Sequence, residues 1–174
     1  MTRQRLPLTD IPVHGREFSF TDQSIWTEPL EQFGYDFEIL KDFEGHLSIL
    51  PQKKSFLIQG GFSGTAKLPC DRCAEPATVE MDESFQLFEE IPREGEPQGD
   101  ESFLRKTDGE TFELDIAGLF WEQFALALPS KVLCTLACRG ICPACGKNRN
   151  IEQCECASEQ GDPRLAALRH IKIK

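Results

Sequence analysis

Cys138-Arg139-Gly140-Ile141-Cys142-Pro143-Ala144-Cys145-Gly146 carries the most specific signal in this chain, a metal-binding knuckle. Two cysteines separated by two residues let the backbone curl round one metal ion. The glycine after the second admits a positive φ, which leaves the following amides free to point at sulfur. A tetrahedral site needs four ligands, so Cys142 and Cys145 require two more. Cys154 and Cys156 can supply them, because residues i and i+2 of an extended segment fall on one face.

Working outward, six of the eight cysteines lie within 23 residues, from Cys134 to Cys156, and the other two form Cys70-Asp71-Arg72-Cys73. Once the tail has taken four, Cys70, Cys73, Cys134 and Cys138 remain, which suggests a second tetrathiolate site tying the Cys70 turn to the segment near residue 134. The competing scheme joins the two Cys-x2-Cys pairs, Cys70 and Cys73 with Cys142 and Cys145, in a single zinc ribbon and leaves the other four cysteines at a second site or free. The first scheme is preferred because its tail site closes through a short loop at small entropic cost. Ala74 stands where a glycine would follow the Cys70 pair, which weakens that pair's signal. Thiolates at this spacing favour structural Zn2+, at one or two sites, although sulfur ligation also suits iron-sulfur clusters. A redox dithiol at Cys70 and Cys73 would want a strand-to-helix setting that depresses a thiol pKa, and the surrounding sequence reads as a strand-to-strand turn.

Residues 1–8 have early positive charges with no long apolar stretch behind them, and no segment approaches the roughly 20 apolar residues that span a bilayer. The expected location is cytoplasmic, a reducing compartment in which eight cysteines point to metal before disulfides. The formal charge of -10 is unevenly placed. Residues 80–122 hold fourteen Asp/Glu against three Lys/Arg, whereas residues 131–174 hold eight Lys/Arg against four Asp/Glu. An acidic whole repels a phosphate backbone, so RNA contact is expected only from the C-terminal part, with Arg139, Lys147 and Arg149 as candidates.

Before the cysteines, Tyr35 to Leu40 and His46 to Pro51 alternate apolar and polar residues, and Glu44-Gly45 between them suggests a hairpin. Ser55 to Leu68 carries Gly60, Gly61 and Gly64, read as a bulged or bent strand, and Ala77 to Phe88 as the returning strand. Residues 92–110 read as a mobile acidic loop. Asp115 caps a predicted helix over 115–128, with apolar positions at spacings of three and four up to Pro129. Asp162-Pro163-Arg164 signals a last short helix. The expected fold is therefore α+β. Residues 1–129 form an antiparallel sheet curled toward a barrel, followed by one main helix. Residues 130–174 form a small cysteine-rich, zinc-binding segment. Thirteen Phe against one Tyr and two Trp read as core filling.

Four cysteines close a site, leaving zinc no open position for catalysis. His14, His46 and His170 are scattered, and no G-x-S-x-G, phosphate-cradling glycine loop or His-Glu-x-x-His is present. The chain is expected not to be an enzyme.

In order along the chain, the Cys70-Asp71-Arg72-Cys73 turn, Leu126-Ala127-Leu128-Pro129, Cys138 to Gly146, Asn150, Cys154-Glu155-Cys156 and Asp162-Pro163-Arg164 resemble the YceD family of large ribosomal RNA subunit accumulation proteins. Lys147-Asn148-Arg149-Asn150 is more basic than the usual stretch after the knuckle. The resemblance implies a non-enzymatic ribosome biogenesis factor with large-subunit precursor rRNA or a basic large-subunit ribosomal protein as partner, and neither a membrane nor a small-molecule substrate. The alternative class is a zinc-ribbon interaction module in transcription or metal handling.

Overall fold

The structure is a computed structural model that describes residues 4–34, 36–92, 102–107 and 111–156. Along the chain these form β1 (Arg5–Pro7), β2 (Arg16–Phe20), α1 (Ser24–Phe33), β3 (Glu38–Pro51), β4 (Ser55–Pro69), β5 (Pro76–Glu90), β6 (Leu104–Lys106), β7 (Phe112–Asp115) and α2 (Ile116–Ala127). The strands make two antiparallel sheets, a small one in the order β1-β7-β6 and a larger one in the order β2-β3-β4-β5. The fold is α+β, as expected. The described strands make two sheets and no closed barrel.

Alternation along the long strands sends one set of side chains to the core. Phe43, Leu47 and Ile49 of β3, Ile58, Phe62 and Ala66 of β4 and Met81 of β5 are buried on that face. Trp26 of α1 and Phe120 and Phe124 of α2 are buried against them. Trp26 is the hub, with ring centroids 5.2 Å from each of Phe43, Phe62 and Phe120. Tilted aromatic pairs of this kind each contribute about 0.5–1.5 kcal/mol beyond the area they bury.

The glycines of β4 correct the reading of that strand. β4 pairs with β5 without a break in register, and the irregularities lie in β3, between Ile39 and Glu44. What the glycines supply is room. A Cβ on Gly64 would lie 2.4 Å from Phe43 Cδ1, and one on Gly60 2.5 Å from Leu47 Cδ2. Likewise Glu44-Gly45 is not a hairpin turn. Both residues lie inside the single strand β3, where Gly45 pairs with Phe62 and leaves space for the Phe120 ring.

The helix α1 was not legible. It is ten residues long and carries Pro29, a residue that usually stops a helix, and it is held by its buried Ile25, Trp26 and Leu30. The helix α2 begins where Asp115 accepts a hydrogen bond from the Gly118 N–H at 3.0 Å. Within the stretch 92–110, Leu104–Lys106 form a strand of the small sheet; residues 93–101 and 108–110, and the helix expected from Asp162, lie outside the described residues.

Candidate metal centres

The turn between β4 and β5 is built for sulfur. The Ala74 N–H bonds back to the Cys70 carbonyl at 2.8 Å, and the Cys70 N–H donates to the Glu75 carbonyl at 2.9 Å, closing a loop that puts both thiols on one side. Ala74 has φ of 58°, the left-handed conformation that a glycine would take without strain. The chain leaving α2 is fastened to this turn by Asp71, whose N–H donates to the Val132 carbonyl at 2.9 Å while its Oδ2 accepts from the Val132 N–H at 2.6 Å. Two residues later comes Cys134, and then Cys138.

The result is a tetrad of Cys70, Cys73, Cys134 and Cys138, with all four Sγ atoms within 4.8 Å of one another. Two of the separations are 3.8 Å, Cys70 to Cys138, and 3.5 Å, Cys73 to Cys134. A tetrahedral ion with metal–sulfur bonds of about 2.3 Å has edges of about 3.8 Å, so the sulfurs stand where such an ion would hold them. Cys70, Cys73 and Cys138 are buried and Cys134 is half-buried.

The second tetrad is Cys142, Cys145, Cys154 and Cys156, under the same 4.8 Å limit. The knuckle is a small hairpin. Ile141 bridges Asn148, the Cys142 N–H donates to the Lys147 carbonyl at 2.8 Å, and Gly146, with φ of 74°, donates to the Cys142 carbonyl at 2.9 Å. Its thiols are more open, with Cys142 buried, Cys154 half-buried, and Cys145 and Cys156 exposed.

Thiol acidity follows the same geometry. The N–H groups of Cys145 and Ala144 aim at Cys142 and hold its thiol at about 6. Burial pushes Cys70 up, but the N–H groups of Cys134, Arg72 and Cys73 outweigh it and hold that thiol also at about 6. Cys138 is lowered too: burial opposes ionisation, and the Asn150 amide and the Gly140 N–H favour it. In contrast, burial pushes Cys73 up to about 12, and the Cys145 thiol beside Cys156, with that of Cys142, pushes Cys156 up to about 11. Each tetrad therefore concentrates negative charge on some sulfurs while its neighbours resist ionising, a repulsion that a divalent cation at the centre removes.

The two sites share a wall. Gly140, with φ of 73°, passes so close to the Cys70 turn that a Cβ there would lie 2.9 Å from the Arg72 carbonyl oxygen. The Ile141 N–H donates to that same carbonyl at 2.9 Å, and Arg72 Nη1 donates to the Cys138 carbonyl at 2.7 Å.

Arg139, Lys147 and Arg149 all lie on the exposed surface of the knuckle. Arg139 Nη1 donates to the Arg149 carbonyl at 3.3 Å, and Lys147 sits 3.5 Å from Glu152 in an exposed pair. The structural parts of Asp71, Asn148 and Asn150 were not read from sequence; an Asx residue beside a knuckle carries no signal of which backbone group it will bond.

A family model described as large ribosomal RNA subunit accumulation protein YceD matches residues 58–172. The chain belongs to the YceD family. Both tetrads fall inside the matched region, which begins within β4. Among curated proteins it is similar to the large ribosomal RNA subunit accumulation protein YCED homolog 1, chloroplastic, of Arabidopsis thaliana. The two are 24% identical over 151 residues, which is 72% of this chain and 47% of that protein. The chain thus spans about half the length of its curated relative. No solved structure matches it. The YceD family is named for accumulation of the large ribosomal RNA subunit and not for a catalysed reaction. Among the described residues, no helix is long and apolar enough to cross a membrane.

Proposed function

We propose that this chain is a non-enzymatic, cytoplasmic factor in large-subunit ribosomal RNA accumulation. Its two tetrads hold structural Zn2+, and its knuckle presents Arg139, Lys147 and Arg149 to precursor rRNA. The observation that carries the reading is the second tetrad: a hairpin closed on four thiols, partly open to solvent, with three exposed basic side chains around it in a YceD chain. Zinc fits the donor sets. Four thiolates fill a tetrahedron with no position left for substrate, and sulfurs within 4.8 Å of one another suit a single ion, whereas a cluster interposes its own irons and sulfides and spreads its thiolates wider. Carboxylates on β5, including Glu80, Asp82 and Glu83, suit a basic ribosomal protein better than RNA.

Sedimentation of the tagged protein through a gradient of cell extract tests the reading. It is expected to travel with large-subunit precursors and to leave them at high salt. A protein found only at the top of the gradient at low salt would reject it in favour of a zinc-ribbon module acting elsewhere. Metal analysis is expected to return about two zinc per chain.

A further inference from the structure

Two side chains of the knuckle reach across to the other site: Asn148, whose Nδ2 donates to Glu75 Oε1 of the Cys70 turn at 3.2 Å, and Asn150, which among the described residues reaches a tetrad sulfur. The Asn150 Nδ2 donates to Cys138 Sγ of the buried tetrad at 3.3 Å. The same amide nitrogen donates to Asn148 Oδ1 at 2.9 Å, and that oxygen also accepts the Asn150 N–H at 3.0 Å. Its Oδ1 accepts the Arg139 N–H at 2.7 Å. The side chain is thus pinned on both its donor and acceptor sides, from the knuckle by Asn148 and from the other site by Cys138 and its neighbour Arg139; its backbone N–H is held by the knuckle as well. Asn148 is the residue bridged to Ile141 across the hairpin, and the Arg149 N–H donates to the Gly140 carbonyl at 2.9 Å.

That hairpin contains Cys142 and Cys145, and it is short, exposed and poor in buried apolar residues; Cys142 is its buried hydrophobic residue. A segment this small does not hold its shape without the ion that closes it. Loss of metal from the exposed tetrad therefore frees Asn150, and Cys138 loses its hydrogen bond.

We propose that the two tetrads bind metal cooperatively through Asn150: occupancy of the exposed site positions Asn150, which holds Cys138 for the buried site. The inference rests on the reading of both tetrads as zinc sites. Asn150 is a positioning residue, since it touches a ligand and not the ion. Hydrogen bonds to coordinating groups are typically worth 10- to 100-fold in metal affinity, so the coupling is expected to be about tenfold or more. By linkage it acts in both directions, and filling the buried site strengthens the exposed one by the same factor.

The test is equilibrium competition for zinc against a chromogenic chelator. It uses the full chain, N150A, N150D, C145S/C156S and the last pair combined with N150A. C145S/C156S removes the exposed site and is expected to weaken the buried site about tenfold, although it changes none of its four ligands. N150A is expected to do the same, and the combined variant to be no weaker than either. N150D still accepts the Arg139 N–H but turns a carboxylate toward the Cys138 thiolate, so it is expected to weaken the buried site more than N150A. Hydrogen exchange in β3–β5 checks that each variant keeps its sheet. Cooperativity is overturned if C145S/C156S leaves the buried site at parental affinity, if the losses from N150A and C145S/C156S multiply, or if N150D binds as the parent does. In each of these cases the parent still binds two zinc and the zinc reading stands. A parent that holds no zinc overturns both.

Discussion

Asp71 and Val132 exchange two hydrogen bonds, the Asp71 N–H to the Val132 carbonyl at 2.9 Å and the Val132 N–H to Asp71 Oδ2 at 2.6 Å. Val132 is buried, so the pair seals the chain leaving α2 against the turn between β4 and β5. This brings Cys134 and Cys138, more than sixty residues away in sequence, to Cys70 and Cys73. Replacing Asp71 with Ala leaves the Val132 N–H without its partner, which is expected to cost about 1–3 kcal/mol. Chemical denaturation of D71A in the zinc-loaded form measures it, and a stability within about 0.5 kcal/mol of the parent would show that the seal is not needed.

The left-handed residues of the two knuckles predict opposite effects. Ala74 takes φ of 58° at a strain of about 1–2 kcal/mol, so Ala74→Gly is expected to be neutral or stabilising by up to about 1 kcal/mol once the greater freedom of the unfolded glycine is counted. Gly140→Ala and Gly146→Ala add similar strain. A Cβ at Gly146 meets nothing within 4 Å, whereas at Gly140 it presses on the Arg72 carbonyl. Denaturation is expected to rank Gly140→Ala as the more damaging, and equal losses would mean that contact with the Cys70 turn contributes nothing.

In the sheet, Gly64→Ala would drive a Cβ to 2.4 Å from the Phe43 ring, which is packed against Trp26 and Phe124. Overpacking of this kind costs typically 1–3 kcal/mol, and roughly that loss is expected. Near-ultraviolet circular dichroism of the aromatic cluster follows it. An unchanged spectrum together with unchanged stability would contradict the packing described for β3 and β4.

Removal of metal is expected to loosen residues 134–156 and, with them, the turn from Cys70 to Glu75, because the buried tetrad spans both. Strands β3–β5, which have an apolar core of their own, are expected to keep most of their protection. Hydrogen exchange with and without chelator tests this, and equal protection of the tail in both would reject a folding role for the metal.

Replacing Arg139, Lys147 and Arg149 together by Ala is expected to weaken association with large-subunit precursors, most visibly where low salt favours phosphate contacts, with zinc content unchanged. Zinc bound by four thiolates would carry a formal charge of about -2 at each tetrad and offset part of the local positive charge, so the effect depends on these three side chains. Binding equal to the parent's across a salt titration would shift attention to the carboxylates of β5.

What the sequence determined by itself is local. Cys142 and Cys145 with Gly146 announce a knuckle because the spacing and the glycine are both needed to wrap one ion. Cys154 and Cys156 follow from the same four-ligand arithmetic, and Asp115 with the apolar periodicity behind it marks α2. Even the grouping of the cysteines was legible, since loop-closure entropy favours the short tail site and leaves the other four together; the structure groups them in that way. Tertiary structure decided the rest. Glu44-Gly45 lies within one strand because Phe120 needs the space above Gly45, and Gly60 and Gly64 are spacers for Leu47 and Phe43, partners brought by strand pairing that no local pattern encodes. The helix α1 exists in spite of Pro29 because Trp26 is buried among aromatic rings from β3, β4 and α2. Asn150 becomes a link between the two cysteine tetrads only when Cys138 is placed against it, and that contact depends on the packing of a hairpin on a turn more than sixty residues earlier in the chain.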